Sequence, residues 1–196
     1  MPRQKSIARL VAEPLLVAIV LAAGVRAAVS IDSIPSASML PSLQIGDHIL
    51  VTPYRLSAPR RGDVIVFRAP GNASQLLVKR VIGLPGDVID SRSGRVRIGE
   101  HALSEPYLFR QAATGTISAQ VVPADSFFVM GDNRDDSVDS RRWGTLPGNL
   151  VVGRVRMVLW SSDDAGGDQP ARASSASTRK SAGARSRLNR IFKCVE

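Results

Sequence analysis

The chain opens on an apolar stretch. Residues 15–25 carry no charge, and apolar character extends from Ile7 to Ile31, with Glu13 and Arg26 near the two ends. The uninterrupted part is shorter than the ~20 residues that cross a bilayer core. The extended part reaches that length, and charged side chains near helix ends can snorkel to the interface. Three readings fit the pattern. One is a membrane anchor, one a cleavable leader ending near Ala27 and Ala28, and one a buried core helix. Arg3, Lys5 and Arg9 precede the segment. The pattern therefore predicts a single-pass anchor with its N-terminus in the cytoplasm.

From residue 31 to about 160 the pattern changes to short runs of β-branched and aliphatic residues between turn signals. Strands are predicted at 48–52, 63–67, 76–82, 95–98, 127–130 and 151–160. Turns are predicted at Pro85-Gly86, Ser93-Gly94 and Gly131-Asp132. No long segment with helical period appears in this stretch, and no internal repeat. The reading is three parts: residues 1–31 as N-terminus and anchor, 32–162 as a β-rich domain, and 163–196 as a tail. The tail is rich in Gly, Ser, Ala, Asp and Arg and cannot bury enough apolar surface to order itself. Its end, residues 185–195, is compatible with a short basic amphipathic helix at anionic lipid.

Charge sharpens this division. The net charge of +9 lies wholly in the ends. Residues 1–30 sum to +3, residues 171–196 to +6, and the middle carries fifteen charges of each sign. A nucleic-acid partner is not expected from such a core. A single cysteine, Cys194, rules out a disulfide or a cysteine-based metal site within one chain. No cofactor or metal is expected.

The candidate chemistry begins with lysine. Four of the 26 basic residues are lysines, and three of those lie in the terminal segments. Lys79 alone stands in the middle, where Arg serves everywhere else. Lysine can lose its proton where arginine cannot. Lys79 lies in the strand-like run 76–82, with Leu77 and Val81 on one face and Val78, Arg80 and Ile82 on the other. Either face places a cation among aliphatics, and desolvation lowers a lysine pKa. Such an amine can serve as general base to a serine. The bland alternative is a snorkelling lysine on an edge strand. Ser38 is a candidate partner, held between Pro35 and Pro41, where prolines restrict the backbone. His48 and His101 lie in no triad or metal spacing. Residues 131–144 alternate acids and bases after a strand. They lack the Gly and closing Glu of an EF-hand loop, and read as a charge-paired scaffold that presents Ser137.

These segments, in this order, resemble the type I signal peptidase family of membrane-anchored Ser/Lys endopeptidases. The resemblance covers roughly residues 10–160. Residues 35–43 resemble its nucleophile box, 61–67 the next box, 79–87 the general-base box and 131–141 the last. It implies a mainly β, signal-peptidase-like catalytic domain with one N-terminal transmembrane helix. It further implies Ser38 as nucleophile, Lys79 as base, and an oxyanion hole from Ser36 and the Ser38 N–H. Ser137 would orient the lysine, with Asp132, Asp139 and Arg141 as support. Ile34, Pro35, Met39, Leu43, Leu77 and Val78 would lie near shallow substrate pockets. Preproteins with small residues at the first and third positions before the cut would be the substrates, and the lipid bilayer a partner. The catalytic domain would face outward from the cytoplasmic membrane. Ala37, Ser42 and Asp136 stand where Gly, Thr and Asn are usual in the family, and the accessory β-region should be reduced. Two other readings stay open. A self-cleaving Ser/Lys repressor needs a DNA-binding helical domain where the apolar segment stands. A catalytically silent, membrane-tethered binding protein would use the same scaffold.

Overall fold

The computed structural model describes residues 7–54, 57–108, 114–162 and Val195. Contacts divide the chain into two units, Met1–Ser30 and Ile31–Glu196. The first holds α1, Ile7–Ala28, a helix with Pro14 inside it. Val11, Leu15, Leu16, Val17, Ile19 and Val20 on it are all more than half exposed. This removes the buried-core-helix reading. Among the described residues, however, no helix is long and apolar enough to cross a membrane. Glu13 and Pro14 interrupt the apolar character of α1.

The second unit is built on a seven-stranded sheet in the order β1-β2-β11-β3-β4-β9-β10. Its strands are β1 (Ser30–Ser33), β2 (Asp47–Thr52), β3 (Val64–Ala69), β4 (Asn72–Gly83), β9 (Ser126–Met130), β10 (Leu146–Pro147) and β11 (Val151–Ser161). A four-stranded sheet, β7-β6-β5-β8, comes from the middle of the chain. It comprises β5 (Val88–Arg92), β6 (Arg95–Ile98), β7 (His101–Ala102) and β8 (Gln120–Val121). The one α-helix described in this unit is α2, the single turn Ser140–Trp143.

The strands expected from alternation form, and the pairs β2–β11, β11–β3, β3–β4, β4–β9 and β5–β6 are antiparallel. The short strands β1, β5, β7, β8 and β10 carried no such signal, being too short or too polar for a period-two pattern. The turns fall where Gly and Pro placed them: Gly86 and Gly94 both take positive φ, which glycine adopts without penalty. The basic tail expected over 163–196 lies outside the described residues, except Val195. That residue is buried, and its N–H donates to the Arg156 carbonyl at 3.2 Å.

Three apolar clusters hold the unit together. One gathers Ile34, Met39 and Leu43 with Ile49, Val51, Val64, Val66, Val155 and Val158, and so lies under the serine-bearing turn. A second joins Ile65, Phe67, Val81, Val129 and Leu146. The third packs the small sheet onto β4 and β9 through Ile82, Ile89, Val96, Val122, Phe128 and Met130. Being central, β4 is buried on both faces from Lys79 to Gly83. The sequence pattern alone required only one buried face.

Gly153 marks a tight seam between strands. A Cβ there would come within 2.6 Å of the Thr52 carbonyl oxygen and 2.8 Å of Val51 Cγ1. The carbonyl belongs to the paired strand β2 and cannot step aside. Gly153→Ala should cost about 1–3 kcal/mol by overpacking, which for a chain of this size lowers Tm by roughly 3–10 °C. Thermal unfolding followed by circular dichroism checks this, and an unchanged Tm would contradict the packing described.

Candidate active site

Three separate stretches of chain meet around Lys79. The first is the turn after β1. Ser36 has extended backbone and leads into a 3-10 turn, Ala37–Met39. Met39 and Leu43 anchor that turn in the core at 1% and 0% exposure. Ser38, just before Met39, is nearly covered. Its hydroxyl lies 3.3 Å from that of Ser36.

Lys79 comes from β4, opposite Ile65 of β3. It is 4% exposed, and its Nζ donates to Ser38 Oγ at 2.5 Å. Burial lowers its pKa to about 8, while Asp139 and Asp132 act in the opposite direction and limit the fall. Among the described residues no carboxylate forms an ion pair with Lys79. The amine is poised to lose its proton near neutral pH, and its hydrogen-bond partner is a hydroxyl. That arrangement fits general-base activation of a serine.

The third stretch follows β9. Gly131 sits where nothing larger fits: a Cβ would come within 2.3 Å of Ser137 Oγ and 2.5 Å of the Ser38 carbonyl oxygen. Asn133 holds the serine turn from behind, its N–H donating to the Ser38 carbonyl (3.1 Å) and its Nδ2 to that of Ala37 (3.2 Å). Ser137 Oγ donates to Asp139 Oδ2 at 2.7 Å. Asp139 also accepts from the Gly131 N–H (2.9 Å) and from Arg141 Nε (2.8 Å). Burial alone would raise the Asp139 pKa, but hydrogen bonds from Arg141, Gly131 and Ser137 outweigh it and hold the carboxylate ionised. Asp139 is thus saturated by its own loop, which expresses the charge-paired scaffold read from the sequence.

Arg80, next to Lys79, is 1% exposed. It forms a two-pronged ion pair with Asp132, with Nε and the terminal nitrogen at 2.9 and 2.8 Å. It also donates to the Gly62 carbonyl (2.7 Å) and to Ser42 Oγ (3.2 Å). Sequence reasoning placed Arg80 on the face opposite Lys79 and gave it no role. Asn133 was missed too. A strand cation flanked by aliphatics was the one available signal for Arg80, and Asn133 gave none.

An open cleft of about 330 Å³ leads to Ser38 and Lys79. Ile34, Pro35, Met39, Leu77 and Val78 line it, together with Asp32, Val66, Gln75 and Leu76. Leu43 does not: it is fully buried in the cluster beneath the serine turn. The histidines lie elsewhere. His48 stacks on Trp160 with ring centroids 4.5 Å apart, and His101 is exposed on β7. Among the described residues, no group of His, Cys, Asp and Glu side chains is arranged to hold a metal ion.

Residues 7–160 match the family model described as signal peptidase, peptidase S26. Signal peptidase I of Leptolyngbya laminosa is 40% identical over 153 residues, covering 72% of this chain and 74% of the relative. Signal peptidase I V of Bacillus subtilis is 34% identical over 156 residues, covering 71% and 92%. A crystal structure of a signal peptidase I from Enterococcus faecalis is 32% identical, covers 51% of this chain and 98% of the other, and superposes with a TM-score of 0.44. These relatives give no support to a silent binding protein. The chain belongs to the signal peptidase family, peptidase S26, and is a serine peptidase.

Proposed function

We propose that this protein cleaves N-terminal signal peptides from exported preproteins, with Ser38 as nucleophile and Lys79 as general base. The observation that carries the reading is the 2.5 Å hydrogen bond from a buried lysine to a serine hydroxyl. Ser38 Oγ attacks the scissile carbonyl as Lys79 Nζ takes its proton. The resulting oxyanion is held by the Ser38 N–H and the Ser36 hydroxyl. Collapse of the tetrahedral intermediate breaks the peptide bond, and Lys79 returns the proton to the leaving amine. A water molecule, deprotonated by Lys79, then releases the acyl group from Ser38. Asp139, Arg141, Asp132 and Ser137 support the base and its loop.

The cleft supports a peptide substrate bound in extended form. Consecutive residues line each wall, 32–36 on one side and 75–79 on the other. An extended segment offers consecutive residues only along its edge, because its side chains alternate between faces. On β4, the pairing with β9 begins at Arg80, so residues 75–79 keep one edge available for main-chain hydrogen bonds. Shallow apolar walls from Ile34, Met39, Val66 and Val78 favour small side chains before the cut, at the first and third positions.

We further propose that the first unit attaches the enzyme to the cytoplasmic membrane, with the catalytic unit on the outer side. The uncovered apolar residues of α1 support this. Attachment to one surface raises the effective concentration of enzyme and preprotein.

Three measurements test these readings. Lys79→Arg keeps a cation but removes the base, and should lower preprotein cleavage in detergent by about 10²–10⁴-fold with the fold intact by circular dichroism. The single-turnover acylation rate of the wild type should rise with pH as Lys79 deprotonates, half-maximal near the pKa of about 8 and level above it. A rate unchanged down to pH 6 would exclude Lys79 as the base. Ser36→Ala should lower kcat by about 10²–10³-fold as one oxyanion donor is lost, while Ser36→Thr retains most activity.

A further inference from the structure

We propose that Glu105 and Tyr107 form a clamp that positions the Ser38–Lys79 pair, by binding together the two buried arginines on which the site is hung. The proposal rests on the peptidase reading above. Both residues come from the segment that leaves the small sheet after β7. Neither touches Ser38 or Lys79, so they act as positioning residues.

The geometry is specific. Glu105, Pro106, Tyr107 and Leu108 form a turn closed by the Leu108 N–H on the Glu105 carbonyl at 3.2 Å. Proline at the second position fixes the backbone of such a turn. The Tyr107 hydroxyl donates to Glu105 Oε1 at 2.7 Å. The same carboxylate accepts from Arg134, whose side chain is wholly buried. Arg134 Nη1 also donates to Thr114 Oγ1 at 3.1 Å. The Tyr107 ring lies against the Arg80 guanidinium, with 4.1 Å from Cζ to the centroid. One turn therefore touches Arg80, the neighbour of the base, and Arg134, in the loop that holds the serine turn.

The energetics make this contact consequential. Two guanidinium groups are out of water here, Arg80 at 1% and Arg134 at 0% side-chain exposure. Such charges are tolerated only where partners and hydrogen bonds replace solvent. Asp132 neutralises Arg80 and Glu105 neutralises Arg134, while the Tyr107 ring covers the Arg80 plane with a favourable quadrupole. Burial and the Glu105 charge raise the Tyr107 pKa, so the phenol stays protonated and keeps donating. Between Asp132 and Arg134 stands Asn133, which holds the Ala37 and Ser38 carbonyls. Release of either arginine frees that residue, and with it the serine turn relative to Lys79.

The test is a pair of conservative variants, Tyr107→Phe and Glu105→Gln, with Tyr107→Leu for comparison, assayed on a preprotein in detergent. Lys79 faces Ser38 from the first turn, Asp132, Asp136, Asp139 and Arg141 from the last loop, and apolar Ile65 from β3. None of these is altered by the variants, so a moved pH profile reports the placement of Lys79. For Tyr107→Leu and Glu105→Gln we expect kcat at pH 7.5 to fall about tenfold or more, with KM within twofold. The acylation midpoint should rise as water reaches the amine. Tyr107→Phe keeps the ring on Arg80 and should fall between these and the wild type. Wild-type kcat and midpoint in all three variants would overturn the clamp. So would a drop in Tm without a moved midpoint, or a loss confined to KM. A wild-type protein that leaves the preprotein uncut would overturn the peptidase reading itself, and the clamp with it.

Discussion

The ion pair between Arg80 and Asp132 is the constraint on which the site depends. Both groups are almost wholly buried. Removing one partner of such a pair leaves an uncompensated charge and typically costs about 3–5 kcal/mol. The same guanidinium reaches Ser42 behind the Ser38 turn and Gly62 before β3. Segments far apart in sequence thereby share one donor group with five fixed N–H bonds. Geometry of this kind explains how four short boxes, each unremarkable alone, define a single site. The sheet brings them near one another, and Arg80 fixes their spacing.

Electrostatic isolation of Lys79 follows from the same arrangement. Three carboxylates lie close enough to favour its protonated form, yet desolvation dominates and its pKa falls. The balance is possible because the two that act most strongly are already engaged. Asp132 is taken by Arg80, and Asp139 by Arg141, Ser137 and the Gly131 N–H. A single unengaged carboxylate at hydrogen-bond distance would hold the amine charged.

Much of this was legible in the sequence, for identifiable reasons. Lysine in an arginine-biased core, a serine between prolines and a charge-dense loop are local signals, and each lies where the site forms. Strands long enough to alternate were found within a few residues. What failed to show was non-local. Leu43 reads as apolar lining in the sequence, but its position below the turn depends on β2 and β11 packing beneath it. Asn133 acts through two backbone carbonyls 95 and 96 positions away, and no periodicity announces such a partner. Glu105 and Tyr107 occupy a polar turn, where sequence patterns default to solvent. The N-terminal segment shows the opposite limit. Its apolar character was evident and favoured a spanning anchor, yet Glu13 and Pro14 leave no helix among the described residues long and apolar enough to cross a membrane.

Lys79 and Arg80 together show why the two cations are not interchangeable. They are adjacent on one strand, equally sheltered from water, and near the same carboxylates. Arg80 meets Asp132 with two parallel hydrogen bonds, a match of planar fork to carboxylate that lysine cannot make. It remains charged and holds structure. Lys79 presents one tetrahedral nitrogen to a neutral hydroxyl and has no ion-pair partner among the described residues. Its charged form gains least from the surroundings, so its proton is the one that can leave. Exchanging the two residue types would place a permanent charge against Ser38 and a single-point donor against Asp132. The strand thus needs both cations, in this order, for the fold and the chemistry to coexist.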